Sequence, residues 1–232
     1  MSSSNNSRTD RIYYGTKKLV YLLMTNLYFL IAISPFLIYF LAAGKGISLY
    51  ILLFLGIIIG PALSTLFSVV GRFEKGEETS AKKDFLHFYK LNFLQGIFSG
   101  AIISVILMIS YLDIEYFSKI NVNIIVYIFI GIAVMTLALG LYVFTIISRI
   151  SAKTFDVFKI ALETMIKKIH ITITMITIIA IFLVIVKFFK ISLIAVLFGP
   201  VFLAYIIILI EKNILIDAEN YLKEKYDNLD RA

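Results

Sequence analysis

The sequence contains no cysteine, no tryptophan and only three prolines, and just 16% of its 232 residues are charged. Without cysteine there is no disulfide framework, no thiolate nucleophile and no thiolate metal site. The scarcity of charge excludes an ordinary water-soluble domain, which is about a quarter charged. Disorder is excluded as well, because it requires low hydrophobicity together with high net charge. What the chain does have is apolar surface, with 60% hydrophobic residues and a mean hydropathy of +0.95. The composition describes one polytopic membrane unit rather than two soluble domains.

Six apolar stretches predict an all-α bundle of six membrane-spanning helices, at residues 19–43, 47–71, 91–112, 122–147, 169–186 and 191–210. A helix needs roughly 20 residues to cross the hydrocarbon core. The fifth stretch is the shortest, and Lys167, Lys168 and Lys187 can snorkel from its ends. Merging the last two stretches into one helix would put Lys187 and Lys190 at its middle, so a tight turn is expected there. The first stretch, 25 residues long, exceeds the roughly 7–15 of a signal-peptide core, so it is expected to stay as a helix. Residues 1–18 form an N-terminal segment, 19–210 the membrane domain and 211–232 an amphipathic tail.

Charge placement orients these spans. The N-terminal segment, the two longer connections and the tail hold 18 of the 22 lysines and arginines. The other side has only Lys45, Lys119, Lys187 and Lys190. By the positive-inside rule both termini face the cytoplasm. The net charge of +7 is then a topological signal, and no nucleic-acid partner is implied. Short outer connections at 44–46, 113–121 and 187–190 give three helical hairpins. Gly60-Pro61 and Gly199-Pro200, with Ser80-Ala81-Lys82 and Ser151-Ala152-Lys153, hint at a repeat of three.

The inner connections read as helices. Phe85, Phe88, Tyr89 and Phe93 recur at helical spacing, opposite Lys83, His87 and Lys90. Phe155, Phe158, Leu162, Met165, Ile166 and Ile169 form a second stripe, opposite Asp156, Lys159, Glu163 and Lys167. The tail continues the pattern with Leu215, Ala218, Leu222 and Leu229. Such helices either lie in the headgroup layer or dock a cytoplasmic partner. Phe85, Phe88, Tyr89, Phe155, Phe158 and Leu162 are the candidates for that contact.

Catalytic and cofactor signatures are absent from the sequence. It lacks a phosphate loop, H-E-x-x-H and G-x-S-x-G. His87 and His170 read as polar-face residues, and Glu74, Glu77, Glu78 and Asp84 as a solvated charge mix with Arg72, Lys75, Lys82 and Lys83. No enzyme, metal or cofactor is expected. Glu211 and Lys212 fall at the inner boundary of the last span, where charge is inexpensive. The spans are thus expected to be free of buried ionisable groups, the usual marks of proton-coupled transport.

Neutral polar residues remain. Asn26, Ser34, Ser64, Thr65, Gln95 and Ser99 are expected either to bond between helices or to line a cavity. Pro35, Pro61 and Pro200 each remove an amide donor and free the carbonyls of Ile31, Ile57 and Val196. Gly56-x-x-x-Gly60 and Gly96-x-x-x-Gly100 are small-residue faces that pack spans two and three within one chain or join two chains as a homo-oligomer.

Asn26, Ser34-Pro35, Gly60-Pro61-Ala62, Gly76-Glu77-Glu78 and the run from Asp84 to Gly96 stand together in this order. In this combination the chain resembles the YesL-like family of bacterial integral membrane proteins, a family of unknown function, over residues 14–212. Relatives commonly carry tryptophan near the first span, where this chain has Tyr28. The resemblance implies a multi-span protein of the bacterial cytoplasmic membrane. It also implies an accessory role beside carbohydrate ABC transporter subunits in oligosaccharide uptake, and it supplies no catalytic residues. An independent small-solute transporter or channel, built on the polar residues and the proline kinks, is the alternative.

Overall fold

The computed structural model describes residues 2–43, 46 and 48–229. The side chains of Arg8, Arg11, Leu222, Lys223, Lys225 and Leu229, and residues Gly44, Lys45 and Arg231, lie outside what it describes. The described residues form eight helices: α1 (Ser2–Ala32), α2 (Ser34–Ala42), α3 (Leu49–Glu74), α4 (Ala81–Lys119), α5 (Asn123–Arg149), α6 (Thr154–Lys167), α7 (Ile169–Phe189) and α8 (Ser192–Leu229). Five helices are long and apolar enough to cross a membrane, or six if α1 and α2 count as one bent span.

That bend is the first departure from a straight 19–43 span. The axes of α1 and α2 differ by 67°, and Pro35 sits in the first turn of α2. Proline has no amide to give the preceding turn but suits a helix start, so the chain breaks at Ile33 and restarts. Tyr39 then ties α2 to the entry of α3, its hydroxyl accepting the Ser48 amide at 2.9 Å.

The two prolines further along do not break their helices; α3 runs through Pro61 and α8 through Pro200. At the far end of α3, Gly76 adopts φ +72°. The amides of Gly76 and Glu77 there reach back to the carbonyls of Phe73 (3.0 Å) and Arg72 (3.1 Å). This left-handed close satisfies carbonyls that the helix end would leave open.

Of the three segments expected as cytoplasmic helices, the first inner connection and the tail are continuous with spans. Residues 81–90 are the first turns of α4, and the tail prolongs α8 to Leu229 without a break. Only α6 stands alone. The turn expected at 187–190 is present, with Lys190 in the left-handed region between α7 and α8.

Packing concentrates on α3, α4 and α5, with α8 and α1 laid against α3. The most extensive pairing is α3 with α4, which joins spans from two different expected hairpins. Gly60, Gly96 and Gly100 explain it. A Cβ on Gly96 would fall 2.5 Å from the Cα of Pro61, one on Gly100 2.8 Å from the Ile57 carbonyl oxygen, and one on Gly60 would overlap the Gly96 carbonyl. The helices meet backbone to backbone, as small-residue faces permit. Gly56 is looser, facing Ser104 Oγ at 3.1 Å.

Candidate functional site

Where the Lys/Arg-rich ends of α3, α4, α5 and α8 converge, the bundle encloses polar side chains instead of ending in solvent. Asn92 of α4 donates through Nδ2 to Ser68 Oγ of α3 at 2.9 Å. The Ser68 hydroxyl hydrogen is shared between the carbonyls of Ser64 (2.9 Å) and Ser148 (3.2 Å). One buried asparagine thereby stitches three helices together. Each of these groups has a partner, as burial demands.

Asp84 anchors a second junction, one turn into α4 and about two turns before its apolar stretch. Its carboxylate accepts from the Thr79 hydroxyl (2.7 Å) and amide (3.0 Å) and from the Tyr21 hydroxyl of α1 (2.8 Å). Arg72 at the end of α3 pairs with it at 3.3 Å. Burial works to raise the carboxyl's pKa, but the Thr79 and Tyr21 hydrogen bonds and the Arg72 charge outweigh it and hold it below the usual range. Asp84 is therefore a buried, fully satisfied hub rather than part of a solvated charge mix.

The third junction overturns the reading of Glu211. Its side chain is fully buried, at 0% exposure, and neither carboxylate oxygen has a hydrogen-bond partner among the described residues. Thr145 and Arg149 of α5 lie beside it. The Thr145 hydroxyl hydrogen, however, goes to the carbonyls of Leu141 and Tyr142 in its own helix. Arg149 is itself only 9% exposed and stands 3.8 Å from Glu74, and its Nη2 makes no hydrogen bond. Glu74 is held more closely by Lys212, at 2.7 Å. Glu74, Arg149, Glu211 and Lys212 thus form a charged cluster across α3, α5 and α8. It was legible in one respect: Ala204, Ile208, Glu211, Leu215 and Ala218 alternate by four and three, and all are buried. Reading the boundary by depth alone missed the face.

Beside this cluster opens a cleft of about 550 Å³ between α4, the end of α5 and the loop into α6. Asn92, Gln95, Ser148, Arg149, Ser151 and Lys153 supply its polar wall, and Phe88, Leu91, Ile147 and Ile150 its apolar one. Gln95 donates to the Ala152 carbonyl at 2.9 Å and so fixes the loop that closes the cleft.

The other sequence candidates do not share a cavity. Asn26 bridges α1 to α8, donating to the carbonyls of Val196 (3.1 Å) and Leu197 (2.8 Å) and accepting from the Val201 amide (3.3 Å). Ser64 and Thr65 bond back to their own helix at Gly60 and Pro61. Ser99 is buried, its hydroxyl without a hydrogen-bond partner among the described residues, and Ser34 is half-buried in the first turn of α2. A separate apolar cleft of about 390 Å³ lies where Gly56, Gly60, Gly100 and Gly140 thin the helix surfaces.

The aromatic stripes also divide. Phe85 is buried, with Phe88 and Tyr89 half-buried. Phe85 stacks with Tyr89 at 6.0 Å, and Arg72 lies over Phe88. These residues pack the bundle and offer no free docking face, unlike the expectation. On α6 the packed face is Val157, Ile160, Ala161 and Met165, whereas Phe155 is 80% exposed and Leu162 and Ile166 are exposed with it. Only Met165 of the expected stripe is buried, with Phe158 half-buried. Among the described residues no group of three or more His, Cys, Asp and Glu could hold a metal ion.

A family model described as a protein of unknown function, DUF624, matches residues 22–114. The match spans Asn26, the α3–α4 crossing, Asp84, Asn92 and Gln95, and stops short of Arg149 and Glu211. Residues 85–95, within the run that the resemblance rested on, lie inside the match, which gives a family of unknown function and no further name. No curated protein and no solved structure matches the chain. The long apolar helices make this a membrane protein.

Proposed function

We propose that the chain is a non-enzymatic integral protein of the bacterial cytoplasmic membrane, with both termini inside, that serves an oligosaccharide-uptake ABC system as an accessory subunit. The observation that carries this reading is the outward face of α6. That helix already buries Val157, Ile160, Ala161 and Met165 against the bundle, yet turns Phe155, Leu162 and Ile166 the other way. These three recur at i, i+7 and i+11, a single stripe. An apolar stripe on a helix already packed by its opposite face is suited to contact with another molecule. The YesL-like resemblance supplies the identity of that molecule, a transporter subunit.

A photo-crosslinker at Phe155 in living cells tests this. Crosslinks to permease or nucleotide-binding subunits, lost in a Leu162→Ser/Ile166→Ser variant that still inserts normally, support the role. Crosslinks to lipid alone overturn it.

A second reading, an independent solute carrier, is favoured by the buried Arg149–Glu211 cluster, since buried ionisable groups within membrane bundles are costly and commonly functional. Purified protein in liposomes that moves solute unaided, and ceases to do so in Glu211→Gln, supports the carrier.

A further inference from the structure

We propose that Glu211 is a proton-binding site, and that its proton decides whether Arg149 ties α5 to α3 or to α8. Such a site would serve an accessory subunit and a solute carrier alike.

Two cations and two carboxyls meet at the Lys/Arg-rich end of the bundle, and they are not shared evenly. Glu74 has both cations, Lys212 Nζ at 2.7 Å and Arg149 Nη2 at 3.8 Å. Glu211 pairs with neither. Its side chain is wholly buried, and both of its oxygens lack a hydrogen bond among the described residues. Were both carboxyls ionised, two separate pairs would be the favourable arrangement, Lys212 with Glu74 and Arg149 with Glu211, because a buried charge requires a partner of its own. Two cations on one carboxylate and none on the other is the arrangement that a neutral, protonated Glu211 produces.

Arg149 is placed to change partners. Its contact with Glu74 exceeds hydrogen-bond length, and Glu74 keeps Lys212 when Arg149 leaves. Gly71 of α3 puts no side chain against the guanidinium, since a Cβ there would lie 3.7 Å from both Nε and Nη2. Glu211 is already beside Arg149.

The hydroxyls that could hold Glu211 instead are committed elsewhere. Thr145 donates to the Leu141 and Tyr142 carbonyls of its own helix. The Tyr142 hydroxyl pairs with Thr172 of α7 at 3.1 Å, and Thr172 donates onward to the Met165 carbonyl. The titratable groups around Glu211 are therefore Tyr142 and Arg149 of α5, Glu74 of α3 and Lys212 of α8 itself. The other helices packed on α8, α1 and α7, add none among the described residues.

Release of the proton leaves a carboxylate on Glu211, and the proton passes to water on the Lys/Arg-rich side, where Arg149 lines a cleft. Arg149 then turns to Glu211 and leaves Glu74 to Lys212. A tie between α5 and α3 is exchanged for one between α5 and α8, a two-state element set by one proton.

Infrared spectroscopy of the full-length protein in an uncharged, ester-free detergent tests this. A protonated carboxylic acid has a carbonyl stretch that a carboxylate lacks. At neutral pH, well above the ordinary carboxyl range of about 4, the wild type is expected to show that band and Glu211→Gln to lack it. Alkaline titration should remove it. Lys212→Gln, at an exposed position, keeps Arg149 on Glu74 and should move the titration midpoint up by about one pH unit or more. Double-mutant cycles of melting temperature read the exchange itself. Arg149→Gln should couple to Glu74→Gln on the acid side of the titration and to Glu211→Gln on the alkaline side. The proposal is overturned by the absence of the band at neutral pH, or by a band that survives in Glu211→Gln or at every pH the fold tolerates. An unmoved midpoint in Lys212→Gln, or an Arg149 coupling that stays with Glu74 throughout, overturns it equally.

Discussion

Asn26 of α1 donates a hydrogen bond to the carbonyl of Val196, the group that Pro200 leaves without its helical partner. The same side chain also reaches the next pair along α8. Leu197 and Val201 would bond to each other in a regular helix, and Asn26 takes both, as donor to one and acceptor from the other. Its three hydrogen bonds therefore repair one proline kink from a neighbouring helix, as kinked membrane helices require.

Asn26→Leu is expected to destabilise the protein by about 1–2 kcal/mol, the upper range for interhelical polar contacts in membranes. The informative comparison is the double variant. With Pro200→Ala, residue 200 regains an amide for Val196. Asn26→Leu should then cost less than half as much, giving a coupling of about 1 kcal/mol in a double-mutant cycle of thermal unfolding in detergent. Strict additivity would refute the repair.

The glycine crossing predicts a sharp contrast. Gly60→Ala and Gly96→Ala place a Cβ into backbone of the opposing helix, which cannot yield as a side chain can. Each should abolish stable folding or cost more than about 3 kcal/mol, beyond ordinary overpacking. Gly131→Ala, with nothing within 4 Å, should be neutral or stabilise by up to about 1 kcal/mol through helix propensity. Yield of monodisperse protein on size exclusion reads the difference.

Asp84→Asn removes the charge that Arg72, Thr79 and Tyr21 converge upon. The folded-state carboxyl titrates below its unfolded value, so its contribution is complete above that unfolded value, about pH 4, and is lost as pH falls through the lower folded one. The variant should be less stable by about 2 kcal/mol at neutral pH. The gap should stay open down to about pH 4 and close only below it. A melting-temperature difference that shrinks between pH 7 and pH 5 would contradict this.

Glu211 makes the opposite prediction. Its two oxygens are buried without hydrogen bonds among the described residues, and a buried polar group left unsatisfied costs about 1–3 kcal/mol. Glu211→Leu is therefore expected to raise the unfolding temperature, or leave it unchanged, while impairing whatever activity the chain supports. A large loss of stability would show instead that the carboxylate is structural.

How much of this could be read from the residues alone depends on the kind of information each feature needs. Long apolar runs are local, so the all-helical character and the presence of several long apolar helices followed from them. The two glycine pairs named the surfaces that meet in α3 and α4, because only a missing side chain allows such an approach. Pro35, Pro61 and Pro200 look alike in sequence and behave differently: the first breaks a helix, and the others are accommodated by Gly100 and Asn26 from elsewhere. No local rule shows which residue repairs a distant kink. The α6 stripe was mis-phased for a related reason. Both of its faces are apolar, and periodicity marks faces without saying which one has a neighbour. Glu211 was misplaced because depth was judged along the helix and not around it.

Most contacts in this bundle are between side chains, which have rotamers and can exchange one fit for another. The α3–α4 crossing is made of main chain on main chain, with no rotamer to change where Gly60, Pro61, Gly96 and Gly100 meet. It therefore has no soft degree of freedom, and α3 and α4 move as one body. Rearrangement is left to the elements that meet this pair through side chains: the break at Ile33, and α7, which buries only Thr172 and Met175. A molecule so built can flex around its edge while its centre keeps one shape.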